Sequence, residues 1–291
     1  MLVMRSLLFV PTNRANMVER AHQTPADVIV LDMEDSVPEA EKGATRQGLR
    51  DAIVSLQAAG KSVHVRVNHL DTNLTRDDLA AAVGPGLDGL VFPKTGGPRD
   101  VRQLDVLIRE QELHNGVKPG TTALIPHIES ARGLLRVKEI VEASTRTAGL
   151  SIGPYDYAAD LGVTRTPEGR ELEHARGVIV TCCAAYGLQA LDGPYANYED
   201  LAGLRAEAQH VRSLGFKGKY VIHPDQVVPV NEAFTPLTEE VEQARRVVAA
   251  FEEAVAAGHG TVGVAGRMVD APVAKRAREL IGYAEAIAAR T

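Results

Sequence analysis

The chain has 291 residues, 45% of them hydrophobic, with 32 Lys and Arg against 38 Asp and Glu. That suffices for one large α/β domain plus an accessory piece. A net charge of −6, with no basic block and no aromatic–basic interleaving, argues against nucleic acid as a partner. An anionic substrate would have to be met by local Arg or Lys. No apolar run reaches the 18 residues a membrane span needs, so no membrane association is expected.

Short apolar, β-branched runs recur along the chain. In order they are SLLFVP (6–11), DVIVLDMED (27–35), SVHVRVN (62–68), LDGLVFPK (87–94), TALIPHIE (122–129), AGLSIGPYD (148–156), LQALDGP (188–194) and KYVIHP (219–224). Between them lie stretches with apolar residues at helical spacing, such as TRQGLRDAIVSLQAAG and PRDVRQLDVLIREQELHNG, each ending on Gly. Eight strand–helix alternations in this length predict a (β/α)8 TIM barrel over residues 1–230. An open doubly wound sheet is the rival, but no GxGxxG or Walker pattern follows any strand. Cys182 and Cys183 are adjacent in a run that reads as helix. Neighbours in a helix point in different directions, so no disulfide is expected, and the usage fits a cytoplasmic protein.

After residue 230 the pattern changes. PLTEEVEQARRVVAAFEEAVAAG (236–258) reads as one amphipathic helix, HGTVGVAGRMVDAP (259–272) as a hairpin or turn, and VAKRARELIGYAEAIAAR (273–290) as a closing helix. Residues 231–291 are therefore expected to form a C-terminal helical extension, serving as a lid or a subunit contact.

Polar residues gather at the strand ends: Asp32, Glu34 and Asp35; Arg66 and Asn68; Lys94; His127 and Glu129; Asp156; Asp192; His223. In a barrel those ends form one face, where active sites sit. Alternation along a strand puts Ile125, His127 and Glu129 on one side, and Ile152, Pro154 and Asp156 on one side of the next. Glu129 and Asp156 would then meet at the same height. Two carboxylates so placed repel unless a cation lies between them, and oxygen-only ligands favour Mg2+. Helix N-capping is the competing reading for both. Arg66 could grip a substrate carboxylate or pair with Glu34 or Asp35. Asp32, Glu34 and Asp35 could bind metal, balance Arg66 or Lys94, or cap the next helix, and the second and third roles are favoured. His64, His127 and His223 lack zinc spacing and read as neutral core or supporting residues. Asp192 reads as orienting the DGPYANYED loop.

The motifs RSLLFVPTN, VIVLDMEDSVP, VHVRVN, VFPK, IPHIESARGL, IGPYDYAADLG, TPEGRELEHAR, ALDGPY, LGFKGKYVIHPDQV and GRMVDAPVAKRA, in this order, resemble the citrate lyase β-subunit family. That family belongs to the Mg2+-dependent acyl-CoA lyases and aldolases of the HpcH/HpaI type. The resemblance implies a (β/α)8 barrel with C-terminal helices, assembled as a homotrimer or hexamer. It places the metal ligands on Glu129 and Asp156, with Glu129 also facing substrate, and the substrate-carboxylate arginine on Arg66. It places an acid or base on Asp270, carried to a neighbouring subunit's site. The implied reaction is Mg2+-dependent cleavage of a 3-hydroxyacyl-CoA thioester, citryl-CoA to acetyl-CoA and oxaloacetate or a close analogue. The partners are then a CoA thioester and a keto acid. Malyl-CoA or citramalyl-CoA lyase, a malate-synthase-like activity, a class II pyruvate aldolase on free keto acids, and a non-catalytic subunit of a lyase complex are the alternatives.

Overall fold

The structure, a computed structural model, describes residues 3–290. The chain divides into two compact units, one of residues 4–233 and one of residues 234–290 together with Val3.

The larger unit is a closed barrel of eight parallel strands in chain order: β1 Ser6–Pro11, β2 Val28–Asp32, β3 Ser62–Arg66, β4 Gly89–Phe92, β5 Ala123–Ile128, β6 Gly149–Ile152, β7 Gln189–Asp192 and β8 Gly218–Val221. The barrel closes through β1 pairing with β8. All eight runs read from the sequence form strands, the first over its full length and the other seven over part of the run. β2, β4, β6 and β8 are buried along their whole length, as expected for parallel strands sandwiched between an interior core and outer helices. Met4, Leu7, Val28, Val30, Val91, Ile125, Leu191 and Tyr220 fill the interior, with Phe9 packed against them. Each such aliphatic side chain contributes about 1.5–3 kcal/mol by leaving water.

One outward-facing polar cluster is sealed behind β7 and β8. Asp192 accepts from Arg176 Nε and Nη2 at 3.0 and 3.1 Å and from Lys219 Nζ at 2.5 Å, while Lys219 also donates to Glu207 at 2.6 Å. Burial disfavours the Asp192 anion, but Lys219 and Arg176 outweigh it and hold the carboxyl below its usual range. Asp192 therefore clamps the barrel to its outer helices. Its link to the loop it was expected to orient runs through Lys219, which donates to Gly193 O at 2.6 Å.

In the smaller unit, the helix Thr238–Ala256 buries Ala244, Val247, Phe251 and Ala254. Most of that face joins Val269, Ala274 and Ala277 in a separate core. The strands Val262–Val264 and Arg267–Val269 pair antiparallel around Ala265-Gly266, with φ of 47° and 75°. Two left-handed residues in a two-residue loop are the signature of a type I′ hairpin. The helix Ala271–Ala288 follows. No helix among the described residues is long and apolar enough to cross a membrane. Cys182 and Cys183 are free and buried in the helix Glu173–Tyr186.

Candidate active site

The C-terminal ends of β2 and β3 build the first half of the site. Asp32 and Arg66 are register partners. The Arg66 Nε and Nη2 atoms each donate to one oxygen of Asp32 at 2.7 Å, a bidentate pair. Its Nη1 lies 3.2 Å from Glu34 and 3.6 Å from Asp35, and the guanidinium sits 4.5 Å above the Phe9 ring. Asp32 also accepts from the backbone N–H groups of Glu34 and Ser36. Burial opposes its ionisation, yet Arg66 and these hydrogen bonds hold the carboxyl below the ordinary range. Asp32, Glu34 and Asp35 thus act as counter-charges to Arg66, one of the roles read for them.

Lys94 lies two residues past β4, in a left-handed conformation with φ of 49°. Its ammonium bonds Glu34 and lies 3.3 Å from Asp35. Burial pushes the Glu34 carboxyl up to about 7; Arg66 and Lys94 pull against it, and neighbouring Asp35 adds to it. Lys42, unremarked in the sequence, fixes this loop from behind. Its buried Nζ donates to Met33 O, Glu34 O and Asn68 Oδ1 at 3.2, 2.9 and 2.7 Å.

Glu129 stands one residue past β5 and is buried. Its Oε2 accepts from the Lys94 backbone N–H at 3.2 Å, and its Oε1 lies 3.2 Å from His127 Nδ1. Burial lowers the His127 pKa, outweighing the support Glu129 gives the imidazolium. The capping reading for Glu129 fails: Ser130 caps the following helix, its hydroxyl accepting from Gly133 N. Asp160 supplies a second bond there, to Ala131 N at 2.7 Å.

Asp156 reaches the site by a different route from the one strand alternation predicted. β6 ends at Ile152, and Pro154 opens the helix Pro154–Asp160. Asp156 therefore arrives on the first turn of that helix. Partial burial raises its carboxyl pKa, Glu129 and Asp35 raise it further, and Lys94 and Arg66 oppose them. Gly153 makes room for the pair. A Cβ there would lie 2.8 Å from Glu129 Cδ and Oε1, and closer still to Cγ. Gly193 does the same for the helix start, since a side chain on it would overlap the Pro154 ring.

These groups form one electrostatic cluster in which the carboxyls of Asp32, Glu34, Asp35, Glu129 and Asp156 face two cations, Arg66 and Lys94. Asp270 lies in the smaller unit, where it caps the helix Ala271–Ala288 by accepting from Val273 N at 3.2 Å.

The family model for HpcH/HpaI aldolase/citrate lyase matches residues 5–224, which spans the barrel. The chain belongs to the HpcH/HpaI aldolase/citrate lyase family. It is a carbon–carbon lyase of that class. It is 40% identical to the citrate lyase subunit beta of Escherichia coli K12 over 97% of this chain and 93% of that protein. It is 37% identical to the L-malyl-CoA/beta-methylmalyl-CoA lyase of Cereibacter sphaeroides over 98% of this chain and 96% of that protein. Among solved structures, the CitE protein of Mycobacterium tuberculosis in complex with magnesium, acetoacetate and coenzyme A superposes with a TM-score of 0.75 at 30% identity, covering 96% of this chain and 97% of that one.

The residues of this lyase fit the magnesium of that relative. The excess of carboxyls over cations favours a divalent ion. The pair Glu129 and Asp156 offers only oxygen donors, and the rise that Glu129 imposes on Asp156 is the repulsion a cation would relieve. No cluster of three or more His, Cys, Asp or Glu poised to hold a metal exists among the described residues. A two-carboxylate site suits Mg2+, which keeps several positions for water and substrate.

Proposed function

We propose that this chain is a Mg2+-dependent lyase that cleaves a 3-hydroxyacyl-CoA thioester, citryl-CoA or a close analogue, to acetyl-CoA and a 2-keto acid. The observation that carries the reading is the pairing of Glu129 and Asp156 beside Arg66 at the barrel mouth of a chain in this family. The two carboxylates would hold the ion, which supplies Lewis-acid polarisation and orients the keto-acid half of the substrate. Arg66 lends Nη1 to the substrate carboxylate, and its bidentate bond to Asp32 keeps the guanidinium plane fixed. The substrate hydroxyl gives up its proton to a carboxylate of the barrel-mouth cluster acting as general base, and the carbinol carbon becomes the keto carbonyl as its bond to the α-carbon of the thioester breaks. The electron pair stays on that α-carbon as an enolate. Asp270, contributed by the C-terminal unit of a neighbouring copy, delivers a proton to it, and in the reverse direction removes one from acetyl-CoA. Residues 231–291 act as the lid that brings this acid, in a homotrimer or hexamer in the cytoplasm.

A panel of thioesters and free hydroxy-keto acids tests the reading. Citryl-CoA, malyl-CoA and citramalyl-CoA are offered with Mg2+ or with EDTA, and release of acetyl-CoA is followed. Mg2+-dependent cleavage of one thioester is expected. Turnover of free acids alone would replace the CoA lyase with a pyruvate aldolase. No turnover, with stable co-purification of partner proteins, would make the chain a subunit of a lyase complex.

A further inference from the structure

The first turn of the helix Pro154–Asp160 carries Asp156, yet no side chain caps it, and Gly153 stands at the cap position. The last barrel bond on the way to it runs from Gly153 N to Ile128 O at 3.0 Å, three residues before Asp156. A helix of seven residues does not hold its own shape in water. Its start has to be fixed from outside.

Tyr155, the residue before Asp156, is 40% exposed, but both its hydroxyl and its ring are engaged. The hydroxyl accepts from the backbone N–H of Ala196 at 2.9 Å, in the loop after β7. That loop is itself anchored on either side of the contact. The Tyr195 carbonyl accepts from the buried Gln226 side chain at 2.8 Å. The Tyr195 hydroxyl donates at 2.7 Å to Asp200, which caps the helix Leu201–Leu214. The ring meets a second segment. The Arg165 guanidinium lies 5.6 Å from the ring centroid, inside the reach of about 6 Å for a cation on an aromatic face. Arg165 in turn bonds Glu171 and lies 3.5 Å from Glu207, a member of the cluster sealed behind β7 and β8. Tyr155 thus ties the turn that carries Asp156 to two fixed parts of the barrel.

We propose that Tyr155 is a positioning residue: held at its hydroxyl by Ala196 and on its ring by Arg165, it fixes the turn that carries Asp156 and so sets the preference of the Glu129–Asp156 pair for Mg2+ over the larger Ca2+. Mg2+ demands a near-ideal octahedron with bonds of about 2.0–2.1 Å, whereas Ca2+ accepts six to eight oxygens at about 2.3–2.6 Å in flexible geometry. A carboxylate on a fixed turn suits the first ion, and one on a loosened turn still serves the second. The selectivity role rests on Glu129 and Asp156 being the ligands of the ion; the tie through Tyr155 does not.

The test uses the full chain in two measurements. Hydrogen exchange at the Ala196 amide, read by NMR on deuterated, EDTA-treated protein, reports the tie without any metal. Calorimetric titration of Mg2+ and of Ca2+, each in the presence of oxaloacetate, reports selectivity. The Ala196 amide should be protected in the wild type and exchange about 3- to 10-fold faster in Tyr155→Phe, the loss of one ordinary hydrogen bond. Tyr155→Phe should weaken Mg2+ binding by about the same factor and Ca2+ binding by less than about 2-fold. Tyr155→Leu, which also removes the ring from Arg165, should lower the Mg2+ to Ca2+ affinity ratio further. Ca2+ is the internal control, since a general loss of structure would weaken both ions alike. An unprotected Ala196 amide in the wild type, or an unchanged affinity ratio in both variants, would overturn the proposal. A protected amide in a wild type that binds no Mg2+ would overturn the metal reading and the selectivity role with it, while the tie stood.

Discussion

Gly153→Ala is a one-methyl perturbation of the proposed metal site. Gly153 has φ of −94°, so alanine meets no backbone penalty there, and the effect is purely steric. The new methyl would lie 2.8 Å from Glu129 Cδ and Oε1. Ordinary carbon–carbon contact is about 3.5–4.0 Å, so the Glu129 side chain has to retreat by roughly 1 Å. It cannot do so freely. Its two oxygens face Lys94 N and His127 Nδ1, each at 3.2 Å, and moving away from Gly153 strains both contacts. Overpacking of this kind costs about 1–3 kcal/mol. A displacement of about 1 Å in a positioning group costs about 100-fold in rate. Urea unfolding of the metal-free protein should show the stability loss. Calorimetric Mg2+ titration and thioester cleavage should show weaker binding and the fall in turnover. Wild-type Mg2+ affinity and turnover in Gly153→Ala would refute the placement of Glu129 against Gly153 as the element that sets the site.

Three further outcomes follow from the same geometry. Because Glu34 binds its proton more tightly folded than unfolded, with its pKa raised from 4.5 to about 7, its contribution to stability falls as pH rises through that window and is constant above it. Glu34→Gln should therefore gain on the wild type by about 3 kcal/mol between pH 4 and pH 8 in urea unfolding with EDTA present; a pH-independent difference would contradict the raised pKa. Lys219→Met breaks the sealed Asp192–Arg176–Lys219–Glu207 cluster and should cost about 3–5 kcal/mol by chemical denaturation, with Mg2+ affinity unchanged in the folded protein. Asp270→Asn keeps a good helix N-cap and removes the proposed acid. It should fold with wild-type stability, bind Mg2+ normally and lose thioester cleavage; full turnover would remove Asp270 from the chemistry.

The barrel was legible because parallel strands covered on both faces must be nearly continuous in Val, Ile and Leu, and such runs stand out at regular spacing. Their polar ends were legible for the same reason, which placed Asp32, Arg66, Glu129 and Asp156 at one face. The path of Asp156 was not legible. Gly153-Pro154 reads equally well as the end of a strand and the start of a helix, and strand alternation extended across it gave the neighbourhood without the route. Asp192 misled because its charge partners, Arg176 and Lys219, lie 16 and 27 residues away, and only the packing of outer helices on β7 and β8 joins them. Lys42 carried no local signal, because two of its three acceptors are backbone carbonyls.

The central claim, that Glu129 and Asp156 together hold a divalent ion, is tested most directly by titrating Mg2+ into the wild type, Glu129→Gln, Asp156→Asn and the double variant in the presence of oxaloacetate. One strong site is expected in the wild type, severe loss in each single variant, and little further loss in the double, since either carboxylate alone leaves the chelate incomplete. A double variant that still binds Mg2+ with wild-type affinity would place the ion elsewhere and contradict the claim.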